Sequence, residues 1–333
     1  MEDKIDVVIL WVDGSEKEWR VKRNYWAKEY GLSDLTEERY RDWDNLKYVF
    51  RGIEKHAPWI NNIYIVTDSQ KPKWLNLKNN RVKLIDHKKI IESEYLPTFN
   101  SRVIELNIHK IEGLSENFIY LNDDTFIIDD VKQEDFFKNG FPVDLGIMLP
   151  FIPEYNQPIY KTIFNNMTII NDHFKKRKVM KSRPFNWFNI KYGYRVFFNL
   201  LMYLWPRFSA FYDPHISTAF KKQTFIDVWN EYEEDLNQTL KTKFRSEQNY
   251  NQWLMRYWQL ASNNFVPQKI NFGKVFSIDG IDASEECVRY IQDQKSKIVC
   301  INDNENLIEF KESKQIINEC LQKKFPDKSE FEI

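Results

Sequence analysis

The chain has 333 residues, with 48 Lys and Arg against 49 Asp and Glu, so its formal net charge is −1 at pH 7. This balance by itself says nothing about a polyanionic partner, and we expect no nucleic acid partner. Hydrophobic residues make up 42 % of the chain, enough for a large core, yet no apolar run approaches the ~20 residues of a membrane-spanning helix.

The cysteines and the first residues bear on the cellular compartment. Cys287, Cys300 and Cys320 are odd in number and lack the spacing of a metal site, which predicts reduced thiols. A charged start leads directly into an apolar run at Ile5, so we expect no secretory signal. The predicted location is cytoplasmic.

Apolar runs alternate with helical spacing through the first third of the chain. The predicted strands are 5–12, 63–66 and 82–85, and residues 42–56 have apolar side chains at helical spacing. This alternation predicts an α/β fold with a mostly parallel, Rossmann-type sheet and flanking helices. Ligands of such sheets bind beyond the carboxyl ends of the strands, the position of Asp13 and Gly14.

A second candidate ligand site is the start of a predicted helix. Ile104, Ile108 and Ile111 share one face of this helix, and Asn100 or Ser101 is placed to cap it. The start of a helix can bind an anion through its free N–H groups. An ordinary cap explains the same residues equally well.

Two apolar runs, 118–121 and 125–128, flank the polar triplet Asn122-Asp123-Asp124. Carboxylates at the end of a buried strand are costly to bury unless they are paired. Mg²⁺ or Mn²⁺, which prefer oxygen ligands, would offset that cost and hold a diphosphate. The alternative is a simple turn, for which Asn and Asp are well suited.

Residues 152–212 interrupt the sheet pattern and predict a basic, aromatic helical insertion. No acidic residue lies between Asp172 and Asp213. The same interval contains nine cations: Lys175, Lys176, Arg177, Lys178, Lys181, Arg183, Lys191, Arg195 and Arg207. Three interpretations remain open for 175–211: peripheral contact with the inner face of the cell membrane, a groove for an anionic polymer, or a solvated face over packed helices.

Residues 213–305 are predicted to complete the active site of a single catalytic domain, 1–333. His215 is a candidate general base, although a lone histidine is more often structural. Arg245, between two predicted helices, suits a phosphate, and a surface ion pair is the alternative. Asp303 follows a predicted strand at 298–301, and acidic strand ends can converge on one edge of a sheet.

Taken together, these residues resemble the Stealth family, whose members are hexose-1-phosphate transferases of bacterial capsule and exopolysaccharide synthesis. The animal N-acetylglucosamine-1-phosphotransferase is related to them. Four family regions are recognisable: 5–15, a long second region from Arg41 to Asp124, a third from Asp213 to Ser246, and a fourth at 300–303. The second region is the longest and the most specific.

The resemblance implies a GT-A-like nucleotide-sugar-binding domain and a phosphotransferase activity. The enzyme would transfer hexose- or N-acetylhexosamine-1-phosphate from a UDP-sugar to a glycan hydroxyl, free or lipid-linked, and release UMP. His215, Arg245 and Asp124 would be catalytic, and Asp123, Asp124 and Asp303 would bind Mg²⁺ or Mn²⁺. Donor-binding roles would fall to Asp13, Gly14, Arg41, Asp44, Asn100, Ser101 and Asn122.

The chain departs from the family pattern at two positions on the acceptor side. Asn107 stands where the family often has the first of two histidines, leaving only His109, and Asn249 stands where an acid is usual. Two other functions compete with sugar-phosphate transfer. One is a metal-dependent GT-A-type glycosyltransferase that releases UDP, and the other is a glycan-binding protein without catalysis.

Overall fold

The structure is a computed structural model that describes residues 4–32, 41–154, 157–304 and 307–333. Its strands are β1 Ile5–Leu10, β2 Ile63–Thr67, β3 Val82–Asp86, β4 Asn117–Asn122, β5 Thr125–Ile127, β6 Phe137–Lys138, β7 Phe141–Asp144, β8 Met148–Leu149, β9 Ala210–Phe211, β10 Thr218–Lys221, β11 Val266–Pro267, β12 Gly273–Ile278 and β13 Ile298–Asp303. Its α-helices are α1 Lys17–Glu29, α2 Leu46–His56, α3 Ser101–Asn107, α4 Pro158–His173, α5 Lys176–Ser182, α6 Pro184–Trp187, α7 Val196–Tyr203, α8 Lys222–Leu240, α9 Trp253–Ala261, α10 Ile281–Gln292 and α11 Phe310–Lys324.

The largest sheet has five strands in the order β10-β4-β1-β2-β3. The strands β4, β1, β2 and β3 are parallel, and β10 is antiparallel beside β4. Val7 and Ile9 of β1 belong to the core on one face, with α2, whereas Val8 belongs to the core on the other face, with α3. Both faces are buried, which explains the continuous apolar runs and confirms the predicted α/β class.

A second sheet, β12-β13-β5, adjoins the first at the Asp123-Asp124 turn. The chain leaves β4 of the large sheet, passes through these two carboxylates and enters β5, which is antiparallel to β13. The Ile301 amide of β13 donates to the Asp124 carbonyl oxygen at 2.9 Å. The expectation that Asp303 ends a strand of the same sheet as Asp13 is wrong, because β13 pairs with β12 and β5.

Side-chain amides take backbone partners at two places in the fold. The predicted helix through Ile108 is shorter than expected and ends as α3 at Asn107, whose Nδ2 donates to the Val103 carbonyl at 2.8 Å. The other place is the two-residue strand β8. Here Asn199 accepts from the Met148 amide and donates to the Gly146 carbonyl, each at 2.7 Å.

The helices α4 to α7 occupy much of residues 152–212, so the predicted helical character of this segment is confirmed. Its status as an insertion stays a prediction. Across the four described ranges, no helix has both the length and the apolar character needed to cross a membrane.

Candidate active site

Asp13 follows β1 at the carboxyl edge of the large sheet. Its Oδ1 accepts hydrogen bonds from the Ser15 amide at 2.9 Å and the Ser15 hydroxyl at 2.6 Å. The Gln70 side chain holds the Asp13 backbone, accepting from its N–H at 2.9 Å and donating to its C=O at 3.0 Å. Gly14 lies half-buried in this turn. The turn is therefore fixed by the loop that follows the neighbouring strand β2.

Asn122, Asp123 and Asp124 lie at the end of β4 and are half-buried. Burial, followed by the charges of Asp124 and Asp42, raises the pKa of Asp123 to about 7. Burial also raises the pKa of Asp124, although the nearby His215 charge and hydrogen bonds from Cys300 and Thr125 oppose it. Burial and the Asp124 charge thus disfavour the ionised form of Asp123.

Residues 41–44 lie among three of these acidic positions. The Asp42 carboxylate is close enough to Asp123 and Asp13 for their charges to interact, and its own pKa is raised, chiefly by burial. Arg41 forms an ion pair with Asp303, with 3.7 Å between Nη1 and Oδ1. The Trp43 indole donates to Asp303 Oδ2 at 3.3 Å. The segment thus connects the edge of the large sheet to the end of β13.

Asp44, another predicted donor-binding residue, lies on the outer side of the same segment. Its side chain is mostly exposed and pairs with Lys314 of α11. The backbone of Asp44 is in the left-handed region, with φ 54°, and its amide donates to Asp42 Oδ1 at 2.7 Å. These contacts orient the Asp42 carboxylate.

His215 and Asp213 form a pair just before β10. The histidine Nδ1 lies 3.7 Å from Asp213 Oδ2, and the His215 amide donates to Asp213 Oδ1 at 3.0 Å. The Asp213 carboxylate raises the pKa of His215 against the opposing effect of burial, and Asp124 adds to the rise. Burial by itself raises the pKa of Asp213, but His215 and the Arg256 charge outweigh it and the pKa is lowered.

Arg256 anchors this pair from the core. It is 1 % exposed and makes a two-pronged ion pair with Asp144, at 2.8 Å from Nε and 2.7 Å from Nη2. Its Nη2 also donates to the Tyr212 carbonyl at 3.0 Å, one residue before Asp213. The Asp213 carboxylate is therefore kept ionised and fixed in place.

Arg245 lies on the loop between α8 and α9, and its side chain is exposed. Its Nη2 donates to the Ser101 hydroxyl at 2.8 Å, at the start of α3. Its charge acts on Tyr120 of β4, as do the charges of Asp123 and Asp124. Arg245 and the two carboxylates thus all lie within range of Tyr120, with Arg245 on the side of α3.

The buried amides of Asn100 and Asn249 hold the Arg245 loop against α3. Asn100 caps α3 by accepting from the Arg102 amide at 3.2 Å, and its Nδ2 donates to Asn249 Oδ1 at 2.8 Å. The same Asn249 oxygen accepts from the Ser246 amide at 2.9 Å. Asn100 thus supports the loop beneath the site, although the sequence suggested that it binds the donor.

The described residues contain no group of three or more His, Cys, Asp or Glu side chains placed to hold a metal ion. In particular, Asp303 makes its contacts with Arg41 and Trp43. The pair Asp123 and Asp124 nevertheless suits a divalent cation, because burial and mutual repulsion disfavour its two charges. Mg²⁺ is commonly held by one or two carboxylates plus substrate phosphates. The metal assignment stays a prediction.

The charges of Asp124 and His215 interact, and those of Asp123, Asp124 and Arg245 all act on Tyr120 of β4. The catalytic roles of these residues stay a prediction. Sequence reasoning assigned no role to Asp42 or Asp213. Both lie within the family regions of the sequence. Asp42 is two residues from Asp44, and Asp213 is two residues from His215, and that spacing was the available signal. His109 and Asn107 are buried, and His109 stacks on Phe225 with ring centroids 5.7 Å apart.

Comparison with known proteins identifies the family of this chain. The family model described as "Stealth protein CR2, conserved region 2" matches residues 39–143. The chain is 42 % identical to the capsular polysaccharide phosphotransferase WcwK of Streptococcus pneumoniae, covering 99 % of this chain and 98 % of the relative. It is 38 % identical to the exopolysaccharide phosphotransferase cps2G of Lactiplantibacillus plantarum, covering 98 % and 96 %. The receptor polysaccharide phosphotransferase WefC of Streptococcus gordonii is 36 % identical, with 100 % of both chains covered.

Two solved structures of glycosyltransferases are distantly similar. The apo structure of the bifunctional enzyme WbbM matches with a TM-score of 0.39 and 11 % identity, covering 98 % of this chain and 52 % of that chain. The galactosyltransferase LgtC, in complex with donor and acceptor sugar analogues, matches with a TM-score of 0.42 and 9 % identity, covering 94 % and 95 %. It is the full-length sequence relatives that decide the family. The chain belongs to the Stealth family, together with these polysaccharide phosphotransferases.

Proposed function

We propose that this protein transfers a sugar-1-phosphate from a UDP-sugar to a hydroxyl of a growing glycan, forming a phosphodiester and releasing UMP. The observation that supports the proposal is that the charges of His215 and Asp124 interact and that those of Asp123, Asp124 and Arg245 all act on Tyr120 of β4. This set contains a base, a cation and a candidate metal site. The names of the full-length relatives supply the biological setting, which is capsule or exopolysaccharide synthesis.

In the proposed reaction the acceptor oxygen attacks the β-phosphorus of the donor. A new P–O bond forms, the bond from the β-phosphorus to the bridging oxygen breaks, and UMP leaves with that electron pair. Phosphoryl transfer depends mainly on positioning and on neutralising charge at the phosphoryl oxygens. Arg245, exposed and fixed by Ser101 at 2.8 Å, is placed to supply a fixed positive charge.

His215 is the group proposed to accept the hydroxyl proton. Its Nδ1 faces Asp213, so Nε2 is the nitrogen directed away from that carboxylate. The arrangement favours one tautomer, with Nδ1 carrying a proton toward Asp213 and Nε2 free to take another. Asp213, kept ionised beside Arg256, would stabilise the imidazolium that results.

Asp123 and Asp124 would hold Mg²⁺ or Mn²⁺. The charge of Asp124 also interacts with that of His215, the proposed base. When bound, the cation would neutralise the donor diphosphate and the leaving UMP. Asp13, Gly14, Asn122 and Arg41 remain the proposed donor-binding residues. Asp44 would act by orienting Asp42, Ser101 by holding Arg245, and Asn100 by holding Asn249.

The decisive experiment uses a UDP-sugar labelled at the β-phosphate, offered with a glycan acceptor. The proposal expects the label in the polymer as a phosphodiester and UMP as the nucleotide product. A glycosyltransferase would break the bond at the sugar C1, leaving the label in UDP and the glycoside without phosphate. Recovery of labelled UDP would overturn the proposal. No turnover with any UDP-sugar would instead favour a glycan-binding protein.

A further inference from the structure

Helix α7 faces solvent with its apolar side. Phe197, Leu200, Leu201 and Leu204 follow the spacing i, i+3, i+4, i+7, which ordinarily marks the buried face of a helix. Here Phe197 is 63 %, Leu201 68 % and Leu204 77 % exposed. The adjoining Trp205 is 60 % exposed. We name these five side chains the α7 stripe.

The opposite side of α7 is held to the protein by polar contacts. Asn199 is fully buried and accepts from the Met148 amide at 2.7 Å. It also donates to the Gly146 carbonyl at 2.7 Å and the Trp187 carbonyl at 2.5 Å. The buried Lys176 ammonium donates to the Met202 carbonyl. These contacts set the rotation of the helix, so the outward stripe is a fixed feature of the fold.

Exposed apolar side chains also precede α7 in the chain, and the same segment contains exposed cations. Phe185 is 80 %, Ile190 93 % and Tyr194 69 % exposed. The exposed cations of the same segment are Lys175, Arg177, Lys178, Lys181, Arg183, Lys191 and Arg207. Within the described parts of the chain none of these seven forms an ion pair. Two of the seven donate to backbone carbonyls, Arg183 to Asn263 at 3.0 Å and Lys191 to Pro267 at 2.9 Å. The apolar stripe and the remaining cations of this segment together complement an apolar layer that carries negative charge.

We propose that the α7 stripe inserts into the interfacial layer of a membrane that contains anionic phospholipids, with the surrounding cations contacting the headgroups. An amphipathic helix of this kind lies in the membrane plane, with its apolar face buried among headgroups and upper acyl chains. Cations beside it add affinity for an anionic surface and make the contact sensitive to salt.

The location of the stripe relates it to the proposed active site. After α7 the chain forms β9, which pairs with β8 and leads directly to Asp213 and His215. Membrane contact at α7 would bring the proposed base near the surface, where a lipid-linked glycan would be presented. This last step rests on the proposed function, whereas membrane binding itself does not.

The test is co-sedimentation of the full chain with vesicles of phosphatidylcholine containing phosphatidylglycerol, compared with phosphatidylcholine alone, at low and high salt. We expect binding to the anionic vesicles and at least tenfold weaker binding to the neutral ones or in high salt. A stripe variant, Phe197→Ser/Leu201→Ser/Leu204→Ser, should bind anionic vesicles at least tenfold more weakly. Because all three side chains are exposed, its melting temperature should match that of the wild type.

Three matched controls accompany the stripe variant. Val21→Ser/Leu77→Ser/Ile333→Ser removes exposed apolar side chains elsewhere and should bind like the wild type. Lys178→Gln/Lys181→Gln/Arg207→Gln should lose the preference for anionic over neutral vesicles. His215→Asn, which removes the proposed base, should bind vesicles normally, so a failure of the proposed function would remain distinguishable from a failure of this proposal.

Two results would overturn the membrane assignment. One is equal recovery of the wild type in the soluble fraction with and without anionic vesicles at low salt. The other is vesicle binding that the stripe variant retains in full. A concentration-dependent dimer that the stripe variant abolishes, without vesicle binding, would show that a second copy of the chain covers the stripe.

Discussion

His215 Nδ1 lies 3.7 Å from Asp213 Oδ2, on a backbone that holds the histidine in the left-handed region with φ 48°. Such a φ is uncommon for residues other than glycine, and Asn and Asp tolerate it well. The turn directs the imidazole toward both Asp213 and Asp124. This pair is the proton-accepting half of the proposed site, and it can be tested at two positions.

His215→Asn should lower kcat by about 10²-fold or more, because it removes the base and retains a residue that tolerates the turn. Donor binding and melting temperature should change little. Initial rates over a range of donor concentrations, with thermal unfolding in parallel, provide the measurement. A variant that melts early but turns over normally once folded would make His215 a structural residue.

Asp213→Asn should shift the pH dependence of kcat/KM. The base works when it is neutral, so activity falls as the pH drops through the pKa of His215, which Asp213 raises. Without the carboxylate this pKa should fall, and the acid limb should move to lower pH while the plateau rate drops about tenfold or more. Asp279→Asn, an exposed carboxylate elsewhere, is the control. An unmoved acid limb would remove Asp213 from the proton-accepting role.

Asp123→Asn and Asp124→Asn should each abolish turnover, and EDTA should stop the wild type. Burial and repulsion raise the pKa of Asp123, so the metal-free protein loses stability as pH rises from 3.8 toward about 7. The Asn variants should therefore melt no earlier than the metal-free wild type. Mg²⁺ should raise the melting temperature of the wild type alone. Full activity in EDTA would exclude the metal from the reaction.

Arg245→Ala should reduce kcat/KM by about 10²-fold, and Arg245→Lys should recover only part of the loss because it lacks the planar two-pronged donor. Ser101→Ala removes the 2.8 Å contact that fixes the guanidinium and should cost less than either. Steady-state rates with a labelled UDP-sugar give the ranking. If Ser101→Ala and Arg245→Ala lose equally, the arginine would act mainly by closing the loop on α3.

The buried His109 should make the fold sensitive to acid. Burial lowers its pKa to about 4, so between 6.5 and 4 the unfolded chain binds a proton that the native chain excludes. Stability is full above pH 6.5 and falls as the pH drops toward 4. At pH 5 the expected cost is about 2 kcal/mol. The free energy of unfolding, measured with urea at pH 7 and at pH 5, should differ less in His109→Gln than in the wild type. An equal difference would show that His109 is not the source of the acid sensitivity.

Much of the fold follows from local pattern. The runs that became β1, β2 and β4 are apolar on both faces, which only a doubly covered parallel sheet satisfies. The helix α2 follows from its apolar spacing. A boundary shifted at the end of α3, where the side chain of Asn107 donates to the backbone. The side-chain amide of Asn107 competes locally with backbone hydrogen bonds, whereas that of Asn199 bonds to backbone groups distant in sequence.

The residue types of the site were determined by the sequence alone, because carboxylates after buried strands, a histidine in a tight turn and an arginine between helices each indicate their chemistry. Only the tertiary structure decided which of them lie within range of one another. It joined Asp213 to His215, brought Asp42 within range of the Asp123 charge, separated Asp303 into another sheet, and turned the apolar face of α7 outward. Each outcome depends on long-range hydrogen bonds and packing that set the rotation of an element, which periodicity cannot specify.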